Sequence, residues 1–262
     1  PCGYSARGKT TLLASLCFLM DRLPRRLPGF ALQAADTYTR QHLPRLIENF
    51  RSGSLEAATL TAAIPPFVCA AHNVPASGAP GTTQNRLLAF FDVAGEAIRA
   101  GALCQELLAE PLPYCHVPWL LFNLNAPEAM DRLSSLLETY IHLMTNGVTP
   151  RKLKGQRVVI AFTCCDLRMD VLPAQVKSYL SEDAEFGQNA LESGVARGFD
   201  LTAYMAQAEQ ISECLADFTQ QHINDGPNLM TLAKTYGIEL KFCATSATGH
   251  LATHGRMHED PT

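Results

Sequence analysis

The chain opens PCGYSARGKTTLL, in which Gly3, Gly8, Lys9 and Thr10 stand at the spacing G-x-x-x-x-G-K-[ST]. No other stretch restricts the fold as much. This is the Walker A pattern of a phosphate-binding loop. Its backbone N–H groups turn inward around an anion. Glycine is needed at Gly8, where a Cβ would meet phosphate or strain the turn. Lys9 reaches the β- and γ-phosphates as a point charge and the Thr10 hydroxyl ligates Mg²⁺. The nucleotide-binding stretch is read as Gly3, Ser5, Ala6, Arg7, Gly8, Lys9, Thr10 and Thr11, with the Arg7 side chain outward. A helix is expected from Thr10 to about Asp21, its positive end toward the phosphates. Its sequence TTLLASLCFLM is apolar almost all round, as for a helix buried against a sheet. A phosphate loop follows a buried β-strand, and here that strand would precede Pro1, so the chain is expected to be a piece of a longer protein.

Composition narrows the class. With 262 residues, 47% hydrophobic and 18% charged, the chain reads as one soluble globular domain spanning 1–262. A net charge of −4 argues against nucleic acid as a partner, because backbone phosphates call for a basic face. No apolar run approaches the roughly 20 residues of a transmembrane helix, and no signal peptide is visible. The nine cysteines include no C-x-x-C pair, and Cys17, Cys69 and Cys243 lie in apolar runs. Reduced, buried thiols in a cytoplasmic protein are expected.

Three later stretches complete a candidate site. In RLLAFFDVAGE, Leu87 to Phe91 reads as a short buried strand with Asp92 at its carboxyl end, where ligands bind in open α/β sheets. Asp92 can hold Mg²⁺ through water, and the Gly95 N–H is suited to a γ-phosphate. A helix N-cap is the other reading of Asp92. RVVIAFTCCDL reads as a buried strand ending at Asp166, and IELKFCATSATG as a last strand ending at Ser246-Ala247. The Asp166 carboxylate could accept both N–H donors on guanine's edge and the Ala247 N–H could donate to its O6. Adenine presents the reverse pattern. Asp166 reads equally well as a helix cap.

The order G-x-x-x-x-G-K-T, D-x-x-G, T-x-x-D and S-A resembles the translation-factor-related class of GTPases, to which the small GTPases belong. FFDVAGE is most similar to the bacterial group called double-GTPases. The resemblance implies a three-layer α/β P-loop NTPase fold. Its sheet would be mostly parallel with one antiparallel edge hairpin, its first strand would lie before Pro1, and a helical insertion at about 170–225 would precede its last strand. It assigns Lys9 and Thr10 to phosphate and Mg²⁺, Asp92 to Mg²⁺ through water, and Gly95 to the γ-phosphate. Asp166 and Ala247 go to guanine, with Thr163 and Ser246 beside them. A first-switch threonine would be Thr59 or Thr61. Two positions depart from the family. Thr163, Cys164, Cys165 and Asp166 lack the lysine that packs over the base, and Glu96 stands where a water-orienting glutamine is common. Slow hydrolysis follows, because a carboxylate is repelled by phosphate. The implied protein binds GTP and GDP and hydrolyses GTP slowly with Mg²⁺, using Lys9, Gly95 and Glu96. It acts as a switch toward a protein partner at its switch loops or helical insertion. The alternatives are a nucleotide-binding scaffold with little turnover and an ATP-binding relative.

The rest is read coarsely. AADTYTRQHLPRLIENF is helical but interrupted at Pro44, PFVCAAHNV is a strand, and PASGAPGTTQN turns it back as a hairpin. AIRAGALCQELLAE is a helix, WLLFNLN a strand, and APEAMDRLSSLLETYIHLMTN a helix. This alternation predicts a mostly parallel sheet with right-handed crossovers. Roughly 80 positions separate Asp166 from Ser246, more than one crossover needs. VLPAQVKSYLSEDAEFGQNALE and LTAYMAQAEQISECLADFTQQHIN are expected as helices there. His250, His254 and His258 recur at i, i+4 and i+8, a spacing that would share one helix face, but a solvated tail without metal is the reading adopted.

Overall fold

The computed structural model of the chain describes residues 9–25, 27, 29–52, 65–75, 81–91, 115–125, 133–146, 153–182, 201–245, 252–253 and 256–257. Helix α1 (Lys9–Arg22) forms where the apolar run predicts it. Beyond it come a 3-10 turn at Leu23–Arg25 and a short strand β1 (Ala31–Ala34), whose four residues carry no strand pattern of their own. Helix α2 (Thr37–Arg51) then runs through Pro44 without a break, which corrects the expected interruption. Pro44 removes one i→i−4 hydrogen bond. Burial of Thr39, Leu43 and Leu46 and a strong cap at Asp36 offset that loss. The Asp36 carboxylate accepts the Thr39 N–H at 2.7 Å and the Thr39 hydroxyl at 2.9 Å. The first of these holds the carboxyl below the usual carboxylate range. Thr39 Oγ1 in turn accepts the Val68 N–H at 2.7 Å, fastening α2 to the next strand.

That strand, β2 (Phe67–Pro75), pairs antiparallel with β1 on one side and with β3 (Thr83–Phe90) on the other. Phe67 and Cys69 face α1 and α2, joined by Leu13, Ala14, Cys17, Leu43 and Leu46 in one buried cluster. Strand periodicity places Phe90 and Leu88 opposite Phe67 and Cys69 and turns Leu87 to the other face. Leu87 is 69% exposed, so the short buried strand expected at Leu87 to Phe91 is corrected to a longer one, Thr83–Phe90, that turns Leu87 outward.

Strands β4 (Trp119–Asn123), β5 (Arg157–Thr163) and β6 (Glu239–Ala244) form a separate parallel sheet in chain order. Helix α3 (Leu133–Asn146) links β4 to β5. Helices α4 (Ala174–Glu182), α5 (Leu201–His222) and α6 (Gly226–Tyr236) link β5 to β6. Because the strands are added in one direction, crossovers of one hand fall on one face. Leu120, Val158, Ile160, Phe162 and Phe242 accordingly point into a core with Leu137, Leu215 and Leu229 of α3, α5 and α6. The opposite face is met by α1, where Leu12 packs with Leu121 and Ala161. The architecture is mixed α/β, with a three-stranded parallel sheet and a three-stranded antiparallel one. The antiparallel part is larger than the single hairpin expected.

Both expected helices of the insertion appear, α5 nearly as read and α4 over its described part. Helix α6 is additional. It carries Pro227 in its first turn and Gly237 in the left-handed conformation just past its end, the usual asymmetry of helix termini. Helix α5 covers the outer edge of β6. The Ser212 hydroxyl accepts the buried Phe242 N–H at 2.9 Å, and Glu209 pairs with Lys241. An exposed edge strand is thereby closed to further pairing. The α5–α6 turn also caps α3, since Asp225 Oδ2 accepts the Ser134 N–H at 2.9 Å. Residues 252–253 and 256–257 pair as a short antiparallel ribbon, which excludes one helix through the three histidines of the tail. Those histidines lie outside the described residues.

Gly226 makes this turn possible, because a Cβ there would lie 1.8 Å from the Thr219 carbonyl oxygen. Gly226→Ala is expected to lower stability by about 1–3 kcal/mol, measured as a shift of the urea midpoint with an unchanged slope.

Candidate functional site

Helix α1 begins at Lys9, immediately after Gly8, so the lysine and threonine of the motif lie in its first turn. No acidic residue occupies that turn, and Arg22 lies in the last one. The positive end of the helix dipole therefore meets no carboxylate from the first turn itself and favours an anion there. Thr10 and Thr11 are half-buried, whereas Leu12, Leu13 and Ala14 are buried. Leu12 rests against Leu121 and Ala161, each two residues short of its strand's carboxyl end.

The carboxyl ends of β4, β5 and β6 are level, with Asn123 opposite Thr163 and Phe162 opposite Ala244. Beyond them the three exits are stitched together. The Leu124 N–H donates to Thr163 O at 3.1 Å, and the Thr245 N–H donates to Phe162 O at 2.8 Å. The Cys165 N–H reaches Thr245 O at 3.4 Å. Arg168 spans from Leu124 O, 3.5 Å from Nη1, to Asp170, 3.6 Å from Nε.

Strand β5 ends at Thr163 rather than at Asp166, correcting the expected boundary. Thr163 is buried, its hydroxyl 3.5 Å from the Phe122 carbonyl oxygen. Cys164 adopts φ 57° and ψ 36°, a left-handed turn that bends the chain off the sheet. Such a backbone disfavours a Cβ and recurs at functional turns. Asp166 follows in the first turn of a 3-10 helix, Cys165–Arg168, and is half-buried. Its alternative reading as a helix cap is not what forms, since the cap position belongs to Cys164.

The fold thus ties Phe162 and Cys165, the chain neighbours of Thr163 and Asp166, to Thr245, the residue before the expected Ser246-Ala247 turn. Gly3, Ser5, Ala6, Arg7, Gly8, Asp92, Gly95, Glu96, Ser246 and Ala247 lie outside the described residues, as do Thr59 and Thr61. The sequence reading missed Leu124, Arg168 and Thr245 as parts of the rim. No local signal marks them, because parallel register brings them together.

None of the seven described cysteines is in a disulfide. Cys17, Cys69 and Cys165 are buried, and Cys243 is partly so. Burial pushes the thiols of Cys17, Cys165 and Cys243 from an ordinary 9.0 up to about 12. No described helix is long and apolar enough to cross a membrane. No protein-family model, curated protein or solved structure matches the chain. What fold and geometry define is an α/β protein with a helix start and a hydrogen-bonded rim of strand exits set around its parallel sheet.

The buried thiols give a pH dependence. Between about 9 and 12 the unfolded chain loses these protons while the folded chain keeps them, so stability falls as pH rises through that window. Denaturant midpoints from pH 8 to 11 should decline, and less steeply in Cys17→Ala.

Proposed function

We propose that the chain binds a nucleoside triphosphate with Mg²⁺ at the head of α1 and is a slow GTPase of the small-GTPase-like class. The observation that carries this reading is the coincidence of motif and element. The G-x-x-x-x-G-K-T pattern runs directly into the first turn of an apolar helix packed on a parallel sheet. A chance glycine-rich turn has no reason to end there. The T-x-x-D stretch supports guanine as the base, since it leaves the carboxyl end of the central strand beside Thr245. There Asp166 would accept guanine's N–H donors and Ala247 would donate to O6.

In the same reading α1 stands between the two sheets, in contact with both. Mg²⁺ would be held by Thr10 and by Asp92 through water. A hydroxyl and a carboxylate suit a hard cation, and Thr10 sits half-buried at the second position of the helix. The metal would neutralise phosphate charge. Lys9 would add a positive charge on the terminal phosphates, and Gly95 a backbone donor. Glu96 in place of a neutral amide makes hydrolysis slow until a partner supplies a further cation. The scaffold reading has one specific observation in its favour. Cys164 occupies the position of the base-packing lysine and sits in a left-handed turn.

Turnover of GTP and ATP by the full-length protein, with equilibrium binding of both, tests these readings. GTP should be bound and hydrolysed in preference, and equal turnover of the two would remove the guanine assignment. Saturable GTP binding without phosphate release would establish the scaffold. Lys9→Ala should weaken triphosphate binding roughly 10- to 150-fold, as expected for a charge-assisted contact. Asp166→Ala should weaken GTP and leave ATP nearly unchanged; equal losses would exclude Asp166 from the base site.

A further inference from the structure

We propose that α1 carries the state of its own N-terminal end to the antiparallel sheet, so that occupancy of the proposed nucleotide site is felt at β2 through Leu13, Ala14 and Cys17. This rests on the nucleotide reading above and adds the route by which that site is read elsewhere. Leu12 packs with Leu121 of β4 and Ala161 of β5. Leu13, Ala14 and Cys17 pack with Phe67 and Cys69 of β2. Among the described residues the two sheets share no ladder, and α1 belongs to the buried clusters of both. An anion drawn to the positive end of α1 acts on the helix as a whole, because its hydrogen-bonded backbone moves as a rod. Close-packed interiors take up such a shift by discrete repacking rather than by smooth deformation.

The receiving side is itself tied into one body. Thr39 joins α2 to β2 through the Val68 N–H at 2.7 Å. Phe50 of α2 meets Phe18 of α1 with ring centroids 5.5 Å apart, and the Arg22 guanidinium lies 4.0 Å over the Phe18 ring. A shift of α1 therefore meets β2 and α2 together. On the opposite side Trp119, the chain's single tryptophan, packs partly buried against the cluster of Leu12. It is a built-in reporter of the parallel-sheet contact.

The test uses the full-length protein with Mg²⁺ and either a non-hydrolysable GTP analogue or GDP. Calorimetry follows binding, mass-spectrometric amide exchange follows β2, and fluorescence follows Trp119. Relative to the nucleotide-free protein, either nucleotide should change β2 amide exchange several-fold, with a change in Trp119 emission. Leu13→Ala should retain nucleotide affinity and lose the β2 response; Leu13→Val, a smaller perturbation, should reduce it. Calorimetric binding with unchanged β2 exchange, or an undiminished response in both Leu13 variants, overturns the coupling and leaves the nucleotide reading standing. Absence of any calorimetric binding overturns the nucleotide reading and this inference with it.

Discussion

Leu12 and Leu13 are neighbours in the chain and about 100° apart around the helix axis, so one turn of α1 is buried on two sides at once. That double burial sets the rest of the arrangement. A helix apolar on one stripe could have served one sheet and left its other face to water. The run TTLLASLCFLM has no such polar face, and it is satisfied only between two apolar surfaces. The antiparallel sheet supplies one of them and the parallel sheet the other. Because Lys9 and Thr10 sit at the head of this helix, its packing also decides where an anion at the motif would stand.

The parallel sheet is held from its centre outward. Val158, Ile160, Ala161 and Phe162 of β5 are fully buried, as a strand covered on both faces requires. Phe162 meets rings from three directions, edge-on with Phe122 and Phe218 and stacked with Phe242. One edge of the sheet is closed by the Ser212 and Glu209 contacts of α5. The strand exits are tied to one another by main-chain hydrogen bonds, so Asp166 sits on a turn whose neighbours cannot move independently.

Strands β2, β4, β5 and β6 and helices α1, α3 and α5 were readable because each carries its pattern within a few residues. These are apolar runs of strand length, or long stretches of helical period bounded by turn residues. What escaped the reading did so for identifiable reasons. The four residues of β1 carry no pattern of their own and become a strand by pairing with β2. Pro44 marks a break by local propensity alone, and burial of Leu43 and Leu46 overrides it. Leu87 looked buried because LLAFF is apolar throughout, and only pairing reveals which of its residues face outward. Helix α6 announced itself through Pro227 and Gly237, signals that the long unbroken stretch before β6 concealed.

For the candidate site, the sequence alone supplied what the proposal rests on: which residues would hold phosphate, magnesium and a base under the nucleotide reading, and in what order along the chain. Spacing within a loop is local and survives any arrangement of the remainder. Tertiary structure alone decided that Thr163, Asp166 and Thr245 share one rim with Leu124 and Arg168, and that α1 serves two sheets. Successive exits of the three strands are roughly 40 and 80 positions apart, and only their parallel register, itself set by burial on both faces, closes such distances.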